Sequence, residues 1–150
     1  MKTKNNILTV ICILFALIWG FAGLLKIIAH EAYYDNLIGS AIYRDYADIL
    51  FYLLPTLEIL AGMMLFWKRT LTIGLSLTVV LFGVYTAFNV YILLMDNPPC
   101  SCHGFIKRLD WKQHLIVHVS LLVLALLALG LHLQTKFTGH KIILPNTNIH

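Results

Sequence analysis

The sequence predicts an all-α integral membrane protein, a bundle of four transmembrane helices. Its composition, the length of its apolar runs and the lack of any alternating pattern all lead there. Hydrophobic residues make up 59% of the 150 and charged residues only 12%, about half the charged share of a soluble domain. Four apolar runs stand out, at about 7–29, 49–67, 71–95 and 115–133. A hydrocarbon core of about 30 Å needs about 20 helical residues at about 1.5 Å each, and every run meets that. A β-barrel would show short segments of alternating hydrophobicity, which are absent. Helices also satisfy their own backbone hydrogen bonds, as lipid requires. Residues 1–150 are therefore expected to form a single four-span domain surrounded by membrane lipid. The formal charge of +4 reads as a membrane-flank feature. No nucleic-acid partner is expected, because no basic stripe interleaved with aromatics is present.

The first run is too long for the apolar region of a signal peptide, and no small-residue cleavage site follows it. Residues 30–48 carry His30, Glu31, Asp35, Arg44, Asp45 and Asp48 among Tyr33, Tyr34, Tyr43 and Tyr46. Tyrosines at that density suit the membrane–water interface, where an amphipathic ring sits at headgroup level. Lys68-Arg69-Thr70 reads as a tight turn. After the third run come Pro98 and Pro99, which end a helix, and then Cys100, Ser101, Cys102, His103 and Gly104. The polar residues after Leu133 read as a loose tail.

Four spans put both termini on one side. That side holds Lys2, Lys4, Lys68, Arg69, Lys136 and Lys141, six of the eleven basic residues, and the other holds Lys26, Arg44, Lys107, Arg108 and Lys112. The positive-inside rule counts Lys and Arg, so six against five gives only a slight lean. Every acidic residue except Glu58 falls on the second side. The expected arrangement is an inner (cytoplasmic) membrane protein with both termini in the cytoplasm and the cysteine loop outside.

Cys100 and Cys102 carry the sharpest local signal. Thiols two residues apart close a small, strained ring, and strained or exposed disulfides are the labile, more oxidising ones. His103, Lys107 and Arg108 nearby favour the thiolate. Redox exchange, metal binding and a structural or idle pair all remain open from the motif alone. Cys12 lies in the opposite half of the first span, beyond disulfide reach of the other two, and reads as a small apolar residue in a packed helix. His114 and His118 are four apart and share a helix face. With Cys100, Cys102 and His103 they compose a copper or zinc ligand set of sulfur and imidazole donors, although no zinc-finger spacing is present.

Glu58 sits near the middle of the second span, after Pro55, where an ionised carboxylate is expensive and needs a partner. Lys26, near the outer end of the first span, is the natural one. The pair reads either as a proton or quinone-headgroup site or as a buried ion pair that fixes helix register. Asn89, Thr86 and Ser120 are candidate interhelical hydrogen-bonding groups, and Gly20, Gly23, Gly62 and Gly83 candidate points of close approach.

Taken together these residues resemble the MauE/DoxX-like group of small redox-associated membrane proteins. The resemblance runs from about Leu8 to Leu133. It is carried by Gly23-Leu24-Leu25-Lys26, by Pro55-Thr56-Leu57-Glu58, by Pro99-Cys100-Ser101-Cys102-His103-Gly104, and by Trp111-Lys112-Gln113-His114-Leu115-Ile116. His103 stands where glycine is more usual, and His118 where asparagine is. The resemblance implies a four-helix membrane bundle that helps mature a disulfide-rich periplasmic enzyme alongside a thioredoxin-like partner.

The leading expectation is thus a membrane component of extracytoplasmic thiol–disulfide exchange or disulfide-dependent maturation, possessing a thiol–disulfide oxidoreductase activity. Cys100 and Cys102 would exchange, His103 would tune the nucleophile, and a quinone-type acceptor would take the electrons. The alternatives are a metal-handling protein using Cys100, Cys102, His103, His114 and His118, and a structural assembly subunit.

Overall fold

The computed structural model describes residues 2–40, 43–94 and 111–141, which are helical apart from short turns and contain no strand. Helix α1 spans Lys2–Ile28, α2 His30–Gly39, α3 Ala47–Met64, α4 Leu71–Leu94 and α5 Trp111–Lys141; a single 3₁₀ turn, Arg44–Tyr46, leads into α3. Four stretches are long and apolar enough to cross a membrane, at Asn6–Ile28, Arg44–Met64, Leu71–Leu94 and Lys112–Lys136. The chain is a multi-pass, all-α membrane bundle.

The core forms where α1, α3, α4 and α5 meet. Phe15, Trp19, Leu75, Thr78 and Phe82 are buried there. The Trp19 ring lies 4.6 Å from that of Phe82 and its indole nitrogen donates to Thr78 Oγ1 at 3.2 Å. That bond meets the need of a buried indole N–H that has no water to turn to. Cys12 is buried in the same core. Val10, Leu17, Ile73, Val80 and Leu127 point outward and are more than half exposed, the inverse of a soluble helix and what lipid solvates.

Two glycines set how closely α1 and α3 approach. A Cβ on Gly23 would stand 2.7 Å from Ile59 Cγ1 and 3.2 Å from the Pro55 carbonyl oxygen; one on Gly62 would stand 3.2 Å from the Ala16 carbonyl oxygen. Small residues let helix backbones touch where no hydrophobic drive pulls helices together in lipid. Gly20 and Gly83 face open space, so they do not serve close packing within this chain.

Three boundaries differ from the sequence reading. Residues 30–48 contain a helix, α2, which is too short to span and turns back onto α3. Leu37 is buried, Tyr33 donates to the Leu50 carbonyl at 3.1 Å, and Tyr34 donates to Asp48 Oδ1 at 2.8 Å. Helix α3 ends at Met64, and the chain turns through residues 65–70. There the Thr70 hydroxyl donates to the Met64 carbonyl at 2.9 Å, satisfying an acceptor that the helix end leaves open. At the far end, α5 continues to Lys141. Nothing between Leu133 and Thr138 breaks a helix, so the polar tail expected after Leu133 stays helical for eight more residues.

Candidate functional site

Glu58 is fully buried in α3, three residues after Pro55, which lacks an N–H and so weakens the helix ladder there. Its Oε1 accepts from Lys26 Nζ of α1 at 2.5 Å and from the Tyr85 hydroxyl of α4 at 2.5 Å. Lys26 Nζ also lies 3.5 Å from the Tyr85 oxygen, and 5.8 and 5.6 Å from the ring centres of Tyr33 and Tyr85. One carboxylate oxygen is thus held by a cation and a phenol from two other helices. Both interactions grow in a low-dielectric setting, which also makes the desolvation of each partner costly. Glu58 Oε2 has no hydrogen-bond partner among the described residues.

A second set of polar groups continues from Tyr85 toward the start of α5. The Tyr85 ring lies 5.9 Å from that of His118, and His118 lies 6.3 Å from His114, each pair near parallel. His118 Nδ1 stands 2.9 Å from the His114 carbonyl oxygen and 3.3 Å from the Asn89 amide nitrogen, which donates to the Tyr85 carbonyl at 2.7 Å. The carbonyl calls for a proton on Nδ1 and the Asn89 NH2 for a lone pair there, so the two contacts on this nitrogen favour opposite tautomers of a neutral His118. His114 is 9% exposed, and its Nε2 has no partner among the described residues.

The antiparallel run of the helices places all of this in one half of the bundle. Lys26 is near the end of α1, Tyr85 and Asn89 are in the second half of α4, and His114 is one turn into α5. Tyr33 of α2 and Tyr43 border the same end. Burial, then the charge of Glu58, raises the Tyr33 phenol above its usual range; burial pushes Tyr43 up to about 12. The segment carrying Cys100 and Cys102 joins α4 to α5.

Of the residues singled out from sequence, the structure brings Lys26 and Glu58 into contact and sets His114 beside His118. Cys100, Cys102 and His103 lie outside the described residues. Ser120 bonds to its own helix, to the Ile116 carbonyl, and Thr86 Oγ1 is buried without a partner among the described residues. Sequence reasoning missed Tyr85. The available signal was a hydroxyl-bearing ring well inside an apolar span, four residues before Asn89, since a buried phenol needs a partner.

The family model described as methylamine utilisation protein MauE matches residues 4–131. That match covers all four candidate spans almost to their ends. The chain belongs to the MauE family. No curated protein and no solved structure matches it. Within this MauE-family bundle, the matched range takes in Lys26, Glu58, Tyr85, Asn89, both histidines of α5 and the Cys-Ser-Cys run.

Proposed function

We infer that the protein is a membrane component of extracytoplasmic thiol–disulfide exchange, serving the maturation of a disulfide-bearing partner. The observation that carries this reading is the pair Cys100 and Cys102 in a segment joining two membrane helices of a MauE-family chain. The family's description, methylamine utilisation, fits a maturation role for an enzyme of amine oxidation. Both termini then face the cytoplasm, and the cysteines face the compartment where disulfides persist.

In the exchange, one thiolate attacks a partner disulfide, forms a mixed disulfide and releases the partner's other sulfur as a thiolate. The second cysteine attacks the mixed disulfide, leaving Cys100 and Cys102 oxidised and the partner reduced by two electrons. His103 beside the pair favours the thiolate. A thioredoxin-like protein is the partner class that such a pair suits; run in the opposite direction, a partner dithiol reduces the Cys100–Cys102 disulfide and becomes oxidised itself, and the reduced pair then gives the two electrons to a quinone-type acceptor, which leaves as the quinol. The Lys26–Glu58–Tyr85 contact serves as the register lock that holds α1, α3 and α4 together.

Single Cys100→Ser and Cys102→Ser variants test the reading. The variant that loses the resolving thiol should accumulate a mixed disulfide with an extracytoplasmic protein, visible as a reducible adduct on non-reducing gels. Failure of both variants to capture any partner would remove the exchange role.

A further inference from the structure

The structure assigns a binding surface for one anionic phospholipid to the end of the bundle where the α3–α4 turn meets the last turns of α5. Lys68, Arg69 and Lys136 are the cations that hold its headgroup phosphate. The surface is independent of the cysteine chemistry proposed above.

The turn sets two cations beside two aromatic rings. Lys68 and Arg69 are exposed, and Phe66 and Trp67 just before them are 67% and 64% exposed. A bare indole at the end of an apolar span belongs at headgroup level, so the two cations stand in the plane of the phosphates. The third cation comes from α5. Thr72 Oγ1, in the first turn of α4, lies 3.1 Å from His132 Nε2, which fixes the register of these two antiparallel helices. Lys136 is exposed and follows His132 by four residues on the same face. It therefore stands one turn, about 5.4 Å, beyond that contact, on the side from which Lys68 and Arg69 lead into α4.

The kind of lipid follows from the charge around it. Among the described residues none of these three cations is ion-paired. The exposed acids Glu31, Asp35, Asp45 and Asp48 lie in α2 or around the start of α3, at the opposite end of the bundle. Three uncompensated cations fit a headgroup of net negative charge, and Arg69 can take two phosphate oxygens at once. A zwitterionic headgroup brings its own ammonium and gains less. The far end, with its exposed carboxylates, repels the same lipid, so one site per chain is expected.

The test uses the full chain in detergent, offered equal amounts of phosphatidylglycerol and phosphatidylcholine with the same acyl chains. Native mass spectrometry reads the lipid retained by each chain. One retained phosphatidylglycerol is expected. Lys68→Gln, Arg69→Gln and Lys136→Gln should each weaken retention about fivefold, the effect of one cation beside an anionic headgroup, and Lys68→Arg should preserve it. Lys112→Gln removes an exposed cation at the opposite end and should change nothing. Equal retention of the two lipids, an equal loss in Lys112→Gln, or full retention in Lys136→Gln would overturn the assignment. Inorganic phosphate should displace the lipid no better than chloride of equal ionic strength; stronger displacement would make the ligand a free anion and overturn it too.

Discussion

The Tyr85 hydroxyl donates to Glu58 Oε1 at 2.5 Å, across the interface of α3 and α4. Lys26 reaches that oxygen from α1, so three of the core's four helices meet at one acceptor atom. Removing any of the three groups leaves the other two with an altered electrostatic balance inside the membrane.

Glu58→Ala should be the most damaging single change, because it leaves the Lys26 ammonium without its carboxylate near lipid. Breaking a buried pair from one side costs about 3–5 kcal/mol. The double replacement Glu58→Gln with Lys26→Met should recover much of that loss. Unfolding in detergent, followed by circular dichroism, gives the comparison; equal losses in the single and double variants would show that the contact is energetically idle.

Tyr85→Phe removes one hydrogen bond to a charged acceptor while keeping the ring beside Trp19 and His118. A loss of about 1.5–3 kcal/mol is expected. The same substitution in a Glu58→Gln background should cost clearly less, because the acceptor is then neutral. A double-mutant cycle measures the difference.

The glycines divide into two classes that stability measurements can separate. Gly23→Ala and Gly62→Ala push a methyl against the backbone of the facing helix and should each cost about 1–3 kcal/mol. Gly20→Ala and Gly83→Ala meet nothing within 4 Å and should range from neutral to a gain of about 1 kcal/mol. A uniform response at all four sites would mean that the α1–α3 approach is looser than described.

Tyr43, pushed up to about 12 by burial, holds its proton more tightly in the folded chain than the usual phenol value of about 10 allows. Its contribution to stability is complete below about pH 10 and drains away as the pH climbs toward about 12. The phenolate absorbance of the protein minus that of Tyr43→Phe should show this late ionisation. An ordinary midpoint in the difference curve would show that the ring is not shielded.

Orientation is open to a chemical test. A membrane-impermeant maleimide applied to intact cells after reduction should label Cys100 or Cys102 and leave the buried Cys12 unmodified. Labelling that requires broken cells would turn the protein over in the membrane.

The four spans could be read from the chain because bilayer thickness imposes a length that few soluble segments reach. Lys26 and Glu58 could be matched because charge is so scarce in the spans that each has few possible partners. Tyr85 escaped because tyrosine counts as apolar in a hydropathy pattern and shows its polarity only when its hydroxyl is located. Helix α2 escaped for a related reason. Its ten residues mix acids, an asparagine and aromatics, and its helicity is supported by contacts with Leu50, Asp48 and Phe51 that only folding brings near. The α1–α3 approach needed coordinates too, since sequence marks four glycines alike and the packing uses two.

The 32 residues separating Lys26 from Glu58 also bear on how the protein is made. A ribosome delivers α1 first, so the ammonium reaches the bilayer before its counter-charge has been synthesised. Lys26 stands in the last turn of α1, so until α3 arrives its long stem can carry the ammonium out to the headgroups. The pair closes only after the second span is in place, and its energy therefore goes to assembling α1 against α3, not to inserting either helix.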